Sequence, residues 1–506
     1  MTGECGKTEN KDAVYYDGSC PMCVAIVGKI DESSNAEKFS MKDITKEPLP
    51  SAFTRADVER EMHVVGADGQ IYKNADAILK LLEPYPAWKF AVAVGRFPGI
   101  RSVLPIGYSF IAANRRFLFG PASRVYWLKM ILCIGFLFGL PLSPTLWAGA
   151  RFYPPTPLLD VLPPLSYPID WIFFLLLSGA LVAAIVISWP RPFIWLAVAL
   201  TLLMVFFDQQ RLQPWVYQYG FMLAILGLYS WRFDDVVGRD LILDICRCVV
   251  ASMYFWSGLQ KVNPEFISQF MWVLTPVQKA LPAEAWRLFY VFVRITPFVE
   301  MGIGIGLLFA RTRSVAIVMA LAMCGLVLWT LGPLGHDWDN IVWPWNIALA
   351  LSVVVLFAKV RTNPIRDVFV VRNYTAPKAL LLLFGILPLL YFFNVWDSYL
   401  SWSLYSGTTN IATVYVSDGV AARLPGSVRQ IVKIDDRQRN FVPVVDLAFA
   451  ELNVPPYPET RIFKSVAHKF CDLAVEPKEV LLVMRGRLSW FYRDAPRVLN
   501  CAQLQP

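Results

Sequence analysis

Between Trp127 and Trp396 the chain reads as a succession of apolar stretches, roughly 127–148, 171–188, 192–207, 215–230, 241–258, 289–310, 314–333, 341–358 and 379–396. Such runs bury best in a bilayer, whose hydrocarbon core of about 30 Å takes one helix of about 20 residues at a time. Of the 506 residues 56% are hydrophobic and only 17% charged, which is too apolar for an ordinary soluble enzyme. The expected fold is therefore an α-helical polytopic membrane protein of about nine spans. The shorter stretches would be extended by aromatics at their ends or paired as a re-entrant hairpin.

Basic residues set the expected orientation. Arg115, Arg116 and Arg124 precede the first span, Arg191, Arg232, Arg239, Arg311 and Arg313 lie in alternate loops, and Lys359, Arg361, Arg366, Arg372 and Lys378 crowd the loop before the last. The opposite loops carry little beyond Arg151, Arg211, Lys279 and Arg287. The positive-inside rule puts the N-terminus in the cytoplasm, and nine spans put the C-terminus outside the cell (inner) membrane. These short clusters account for the net charge of +8 without a nucleic-acid partner. Three histidines are too few for a histidine-built cluster and no second cysteine pair completes a zinc site, so no metal is expected. The opening MTGECGKTENKD is polar, with no apolar signal segment.

Ahead of the spans, residues 13–18 read as a short strand entering a turn, and SCPMCVAIVGKI as the helix that follows. A Cys-x-x-Cys pair at such a junction puts its first sulfur at a helix N-terminus, where unpaired N–H groups and the dipole favour the thiolate. Cys20 is the expected attacking thiol and Cys23 the resolving one, with Pro21 suited to the first helical turn. Downstream a hairpin is expected at Ala67-Asp68-Gly69, then a helix opened by Asn74 or Asp76. Asp17, Gly18, Cys20 and Cys23, with this hairpin and the closing segment 107–117, resemble the DCC (DUF393) thiol-disulfide oxidoreductase family over residues 12–120. That resemblance implies a thioredoxin-like α/β domain with a redox-active disulfide and a thiol reductant as partner. The other reading of the same domain is a docking module without redox activity.

Within the spans, Tyr254–Phe266 stands out because an apolar run ends in Lys261. A lysine near hydrocarbon either snorkels to the interface, here with Asn263 and Pro264 ending the helix, or sits in a polar cavity where a deprotonated amine can act as base. Tyr254, Phe255, Ser257, Gly258, Leu259, Gln260, Lys261, Val262, Asn263 and Phe266 resemble the lysine segment of vitamin K-dependent gamma-carboxylase and its bacterial relatives, the horizontally transferred transmembrane family. The resemblance implies that Lys261 is a general base toward a hydroquinone; Gln260 stands where the family usually has a first lysine. His336, Asn340, Trp343, Pro344 and Trp345 resemble a second segment of that family, with the His-to-Asn spacing one longer. His336 would then hydrogen-bond a quinol oxygen or the lysine amine and Asn340 an oxyanion. Trp256, Trp343, Trp345 and Glu300 would contact the cofactor. Read without the family, His336 is a loop histidine and Asn340 a helix cap.

Asp244 and Arg247, three apart, are expected to neutralise each other, whereas Arg294 and Glu300, six apart, should meet other helices. The amphipathic text between Pro264 and Phe289, broken by Pro276 and Pro282, reads as an interfacial or re-entrant roof over Lys261 or as a loop on the membrane. After residue 400 the apolar runs stop. IATVYVS, FVPVVDLAF and EVLLVMRGRLSWFY suggest strands, TRIFKSVAHKFCDLA a helix, and Cys471 either pairs with Cys501 or packs in the helix core.

The expected organisation is a thioredoxin-like domain over 1–120, a membrane domain over 121–400 and a small exported β-rich domain over 401–506. Its expected function is a membrane oxidoreductase that deprotonates a vitamin K-like hydroquinone and oxidises it with O₂, with CO₂ as a further substrate if a peptide or protein acceptor is carboxylated. Membrane lipid and the quinone are its other partners. The alternative is a thiol-disulfide oxidoreductase whose membrane part is an anchor or binding scaffold.

Overall fold

A computed structural model describes residues 11–18, 20–31, 36–119, 123–159, 161–231, 236–370, 379, 382–487 and 495–504. Arg232, Arg372, Lys378 and the tail of the EVLLVMRGRLSWFY stretch lie outside them. The chain divides into two compact units, Met1–Trp127 and Leu128–Pro506.

The first unit alternates β1 (Asp12–Tyr16), α1 (Pro21–Asp31), β2 (Phe39–Asp43), α2 (Arg55–Arg60), β3 (His63–Val65), β4 (Ile71–Lys73) and α3 (Asn74–Leu82), followed by α4 (Lys89–Gly95) and α5 (Pro98–Phe119). The sheet order is β2-β1-β3-β4, with β1 and β2 parallel and the other pairs antiparallel. This is a thioredoxin-like α/β arrangement. Period-two alternation sorts its side chains: Val14 and Val64 join Cys20, Cys23, Ile30 and Ala77 in one core, while Tyr15 and Val65 face Phe53 and Val58 in another. The hairpin turns at the expected residues, with Gly69 at φ +78°. The helix after it begins at Asn74, one of the two residues expected to open it. Lys73 holds the N-cap position without a side-chain bond, and Asn74 bends left-handed at φ +57°.

The second unit begins with helical elements. α6 (Ser123–Leu142) enters it and is followed by α7 (Pro144–Trp147), α8 (Ile169–Val186), α9 (Arg191–Phe207), α10 (Pro214–Gly227) and α11 (Val236–Gln260). Next come α12 (Pro264–Val273), α13 (Thr275–Ala280), α14 (Ala283–Leu308), α15 (Arg313–Leu331), α16 (Val342–Phe357) and α17 (Pro364–Val370). Among the described residues α6, α8 and α15 are long and apolar enough to cross a membrane, and α14 makes a fourth if its two segments, bent by 48°, count as one span. Nine such spans are not present among the described residues. α9 and α16 are apolar but hold 17 and 16 residues, α10 holds 14, and α11 has the length but carries Arg239, Asp240, Asp244 and Arg247 in its first half. The last apolar stretch turns at Leu387–Phe393 into a 3-10 segment.

α11 and α14 pack backbone to backbone. A Cβ on Gly258 would lie 2.6 Å from the Pro297 carbonyl oxygen, and one on Gly304 2.6 Å from that of Ala251. Gly304→Ala is therefore expected to cost about 1–3 kcal/mol in thermal unfolding of the detergent-solubilised protein. Gly302→Ala, where a Cβ meets nothing within 4 Å, is the control. Equal melting of the two variants would contradict the close packing.

The C-terminal part is a five-stranded antiparallel sheet, β6-β7-β5-β8-β9, formed by β5 (Ile411–Val416), β6 (Lys433–Ile434), β7 (Asn440–Pro443), β8 (Val480–Arg485) and β9 (Arg497–Asn500). It belongs to the same compact unit as the helices. The expected strand FVPVVDLAF divides: its first residues complete β7, and after Pro443 the chain becomes the helix Val444–Leu452. The amphipathic helix Thr460–Cys471 packs on β8, and Cys471 is disulfide-bonded to Cys501.

Candidate functional site

Two groups of side chains, one in each unit, carry the chemistry anticipated from the sequence. In the first unit the chain leaves β1 at Tyr16, turns through Asp17 and Gly18, and enters α1. The Cys20 amide donates to the Asp17 carbonyl oxygen at 3.0 Å, and the Cys20 carbonyl oxygen accepts from the Val24 amide at 3.0 Å. Cys20 thus occupies the cap of α1, and its Sγ accepts from the Cys23 backbone N–H at 3.4 Å. An amide of the first helical turn aimed at the sulfur is the arrangement that stabilises a thiolate. The two cysteines are 3% and 4% exposed, and they sit in the core formed with Val14, Met62 and Val64.

The turn before them is held by a residue that local pattern did not reveal. Asp43, at the end of β2, accepts from the Gly18 amide at 3.2 Å and from the Thr45 amide and hydroxyl at 2.9 and 2.7 Å. The Thr45 hydroxyl bond, helped by the Thr45 amide and by Lys46, lowers the Asp43 carboxyl below its usual range despite the opposing effect of burial. A Cβ on Gly18 would meet the Asp43 carboxylate at 2.3 Å, so a side chain there would have to displace the carboxylate that holds the turn. α5 contributes Tyr108, whose hydroxyl accepts from the Met62 amide at 2.8 Å. The segment 107–117 does close this unit. His63 pairs with Tyr15 and stacks on Phe53 at 4.7 Å, on the sheet face away from the thiols.

In the second unit Lys261 lies one residue past the end of α11. Its Nζ donates to both Glu300 carboxylate oxygens at 2.9 and 2.6 Å and to the Ser257 hydroxyl at 2.9 Å. Glu300, on α14, is 6% exposed. The Gly258 and Gly304 contacts bring these helices close enough for the pair to form, so Glu300 does meet another helix, and its partner is the lysine. The other charges behave as structure: Asp244 and Arg247 pair at 2.5 Å, with Arg247 also donating to the Leu356 carbonyl oxygen, and Arg294 lies over the Tyr290 ring. Asn263 does more than end α11; its side chain caps α12 through the Phe266 amide and donates to the Ser406 carbonyl oxygen.

The second expected segment lies apart from this pair. His336 stacks on Trp272 at 4.1 Å, and its Nε2–H donates to the Trp272 carbonyl oxygen at 2.8 Å; among the described residues no hydrogen bond joins it to Lys261. Asn340 is in the turn before α16, but the helix cap is Ile341, without a side-chain bond. The indole N–H of Trp343 donates to the Leu331 carbonyl oxygen and that of Trp345 to Gln218, while Trp256 is buried against Phe255. These three tryptophans therefore point to different helices. Between His336 and Asn340 the sequence hides Asp339. It is 3% exposed, hydrogen-bonded to the Tyr405 hydroxyl, and raised by burial to about 7.

Comparison with known proteins bears on the first unit. Residues 14–121 match the family DCC1-like thiol-disulfide oxidoreductase. No horizontally transferred transmembrane or gamma-carboxylase domain is identified in the remainder. No curated protein and no solved structure matches the chain.

Proposed function

We propose that this protein is a membrane-associated thiol-disulfide oxidoreductase whose chemistry runs through Cys20 and Cys23. The observation that carries this reading is the Cys23 N–H aimed at the Cys20 sulfur at the start of α1, within a span that matches the oxidoreductase family. The Cys20 thiolate attacks a substrate disulfide, forming a mixed disulfide and releasing one substrate thiolate. Cys23, once deprotonated, attacks the Cys20 sulfur, closing the Cys20–Cys23 disulfide and releasing the second. The protein dithiol is oxidised by two electrons, the substrate takes them, and a thiol reductant resets the pair. Substrate disulfide reduction by the purified full-length protein is expected to be lost in Cys20→Ser. Cys23→Ser is expected to accumulate the mixed disulfide on a non-reducing gel. Full activity of Cys20→Ser would sink the reading.

A working Cys20–Cys23 thiol pair would suit the reducing cytoplasmic side and a Cys471–Cys501 disulfide the oxidising side, in keeping with the orientation expected from the basic residues.

A second reading is favoured by the ion pair between Lys261 and Glu300, a largely buried ionisable couple in an apolar unit. Glu300 would take the lysine proton, and the freed Lys261 amine would take one from a hydroquinone hydroxyl, preparing it for oxidation by O₂. O₂ uptake with a naphthohydroquinone is expected for wild type and not for Lys261→Arg, which keeps the ion pair but stays protonated. Equal uptake by both would leave Lys261 as an anchor.

A further inference from the structure

α5 is held to the first unit along one stripe. The Tyr108 hydroxyl accepts from the Met62 amide, and a Cβ on Gly95 would lie 3.4 Å from the Leu104 side chain. Leu104, Tyr108 and Ala112, spaced four apart on one side of the helix, are the partly buried residues among those described in α5. Turning that stripe inward leaves Ile100, Val103, Ile106 and Ile111 exposed, within an arc of about 140° at ~100° per residue. Just before them, Trp88, Phe90 and Phe97 are each more than half exposed. Apolar side chains gathered on one outer face mark a surface that something covers.

Two features say what covers it. α5 ends at Phe119, and α6, which is long and apolar enough to cross a membrane, begins at Ser123. The few residues between them extend the chain by at most about 14 Å, so the end of α5 is leashed to the point where the chain enters the bilayer. The second feature is charge. From Pro84 to Leu159 the sequence holds no acid, while Lys89, Arg96, Arg101, Arg115, Arg116 and Arg124 lead into the span. Arg96 pairs with Glu83 and Arg101 with Asp76, which still leaves the segment a positive surplus. Apolar side chains accompanied by cations suit a lipid surface that carries anionic headgroups. In a two-fold pairing of this face with a second copy, the same cations would confront one another.

We propose that α4 and α5 lie in the headgroup layer of the membrane that their own chain enters, with Ile100, Val103 and Ile106 at the acyl boundary and the basic side chains among lipid phosphates. The first unit is then docked on lipid through α5 and does not swing freely on its tether to α6. Thiol chemistry at Cys20 would be delivered at the membrane surface, but the docking itself rests on α4 and α5 and not on the redox reading.

The test places a photoreactive benzophenone side chain at Val103, at Ile100 or, as the control, at Ser109, in the full-length protein reconstituted into vesicles of phosphatidylcholine and phosphatidylglycerol. Ser109 is exposed but stands about 120° from Val103 and about 180° from Ile100 around the helix. All three positions are exposed, so the fold should tolerate the probe, and the two test positions check each other. After irradiation, lipid adducts identified by mass are expected at Val103 and Ile100 in severalfold excess over Ser109. Cross-linked dimers, adducts to another segment of the same chain, equal lipid adducts at all three positions, or no adduct at either test position would each overturn the proposal.

Discussion

Lys261→Ala is expected to destabilise the second unit by about 3–5 kcal/mol, because it leaves the 6%-exposed Glu300 carboxylate without its cation. The size of the effect comes from the orphaned charge. Two charges taken from water are costly, and their mutual attraction roughly offsets that cost only while both are present. Removing both, as in Lys261→Met/Glu300→Leu, should therefore return the protein to within about 1 kcal/mol of wild type. The measurement is thermal unfolding in detergent for both single variants and the double. A Lys261→Ala variant that melts with wild type would mean the pair is effectively hydrated.

The second large effect is a pH dependence centred on Asp339. Burial raises this carboxyl to about 7, against an ordinary value of 3.8. Between those values the folded protein holds a proton that the unfolded chain has released, so stability is fully present below about pH 4 and is lost as pH rises toward 7. Between pH 5 and 7.5 the loss amounts to about 2–3 kcal/mol at ~1.4 kcal/mol per unit. Above pH 8 nothing further is lost from this group. Asp339→Asn keeps an acceptor for the Tyr405 hydroxyl and cannot ionise, so its melting temperature should lack this slope. An unchanged slope in Asp339→Asn would assign the dependence elsewhere.

What could be read from the sequence followed how local the cause was. The strand, turn and Cys-x-x-Cys helix are fixed by residues within ten positions of one another, and the structure has them where they were expected. The Asp43 anchor under Gly18 was not legible, because it reaches the turn only through the parallel pairing of β1 and β2. Lys261 announced itself as a charge ending an apolar run, but Glu300 as its partner depends on glycines in two helices meeting face to face. Gly258 and the Gly302-x-Gly304-x-Gly306 series were the available signal. The structure shows fewer spans than expected because several of the apolar stretches form helices too short to cross a bilayer, α9, α10 and α16 among them, and α11 carries charges in its first half. In FVPVVDLAF the alternation of a strand and the apolar face of a helix overlap, and the structure changes from one to the other directly at Pro443.

The contrast between the proposed thiol pair near one end and the bridged pair near the other has a practical consequence. Reductant strong enough to hold Cys20 and Cys23 as thiols during purification also attacks the link that ties the helix Thr460–Cys471 to the end of the sheet. Oxidant that protects the link closes the thiols. No single redox buffer therefore suits the whole polypeptide.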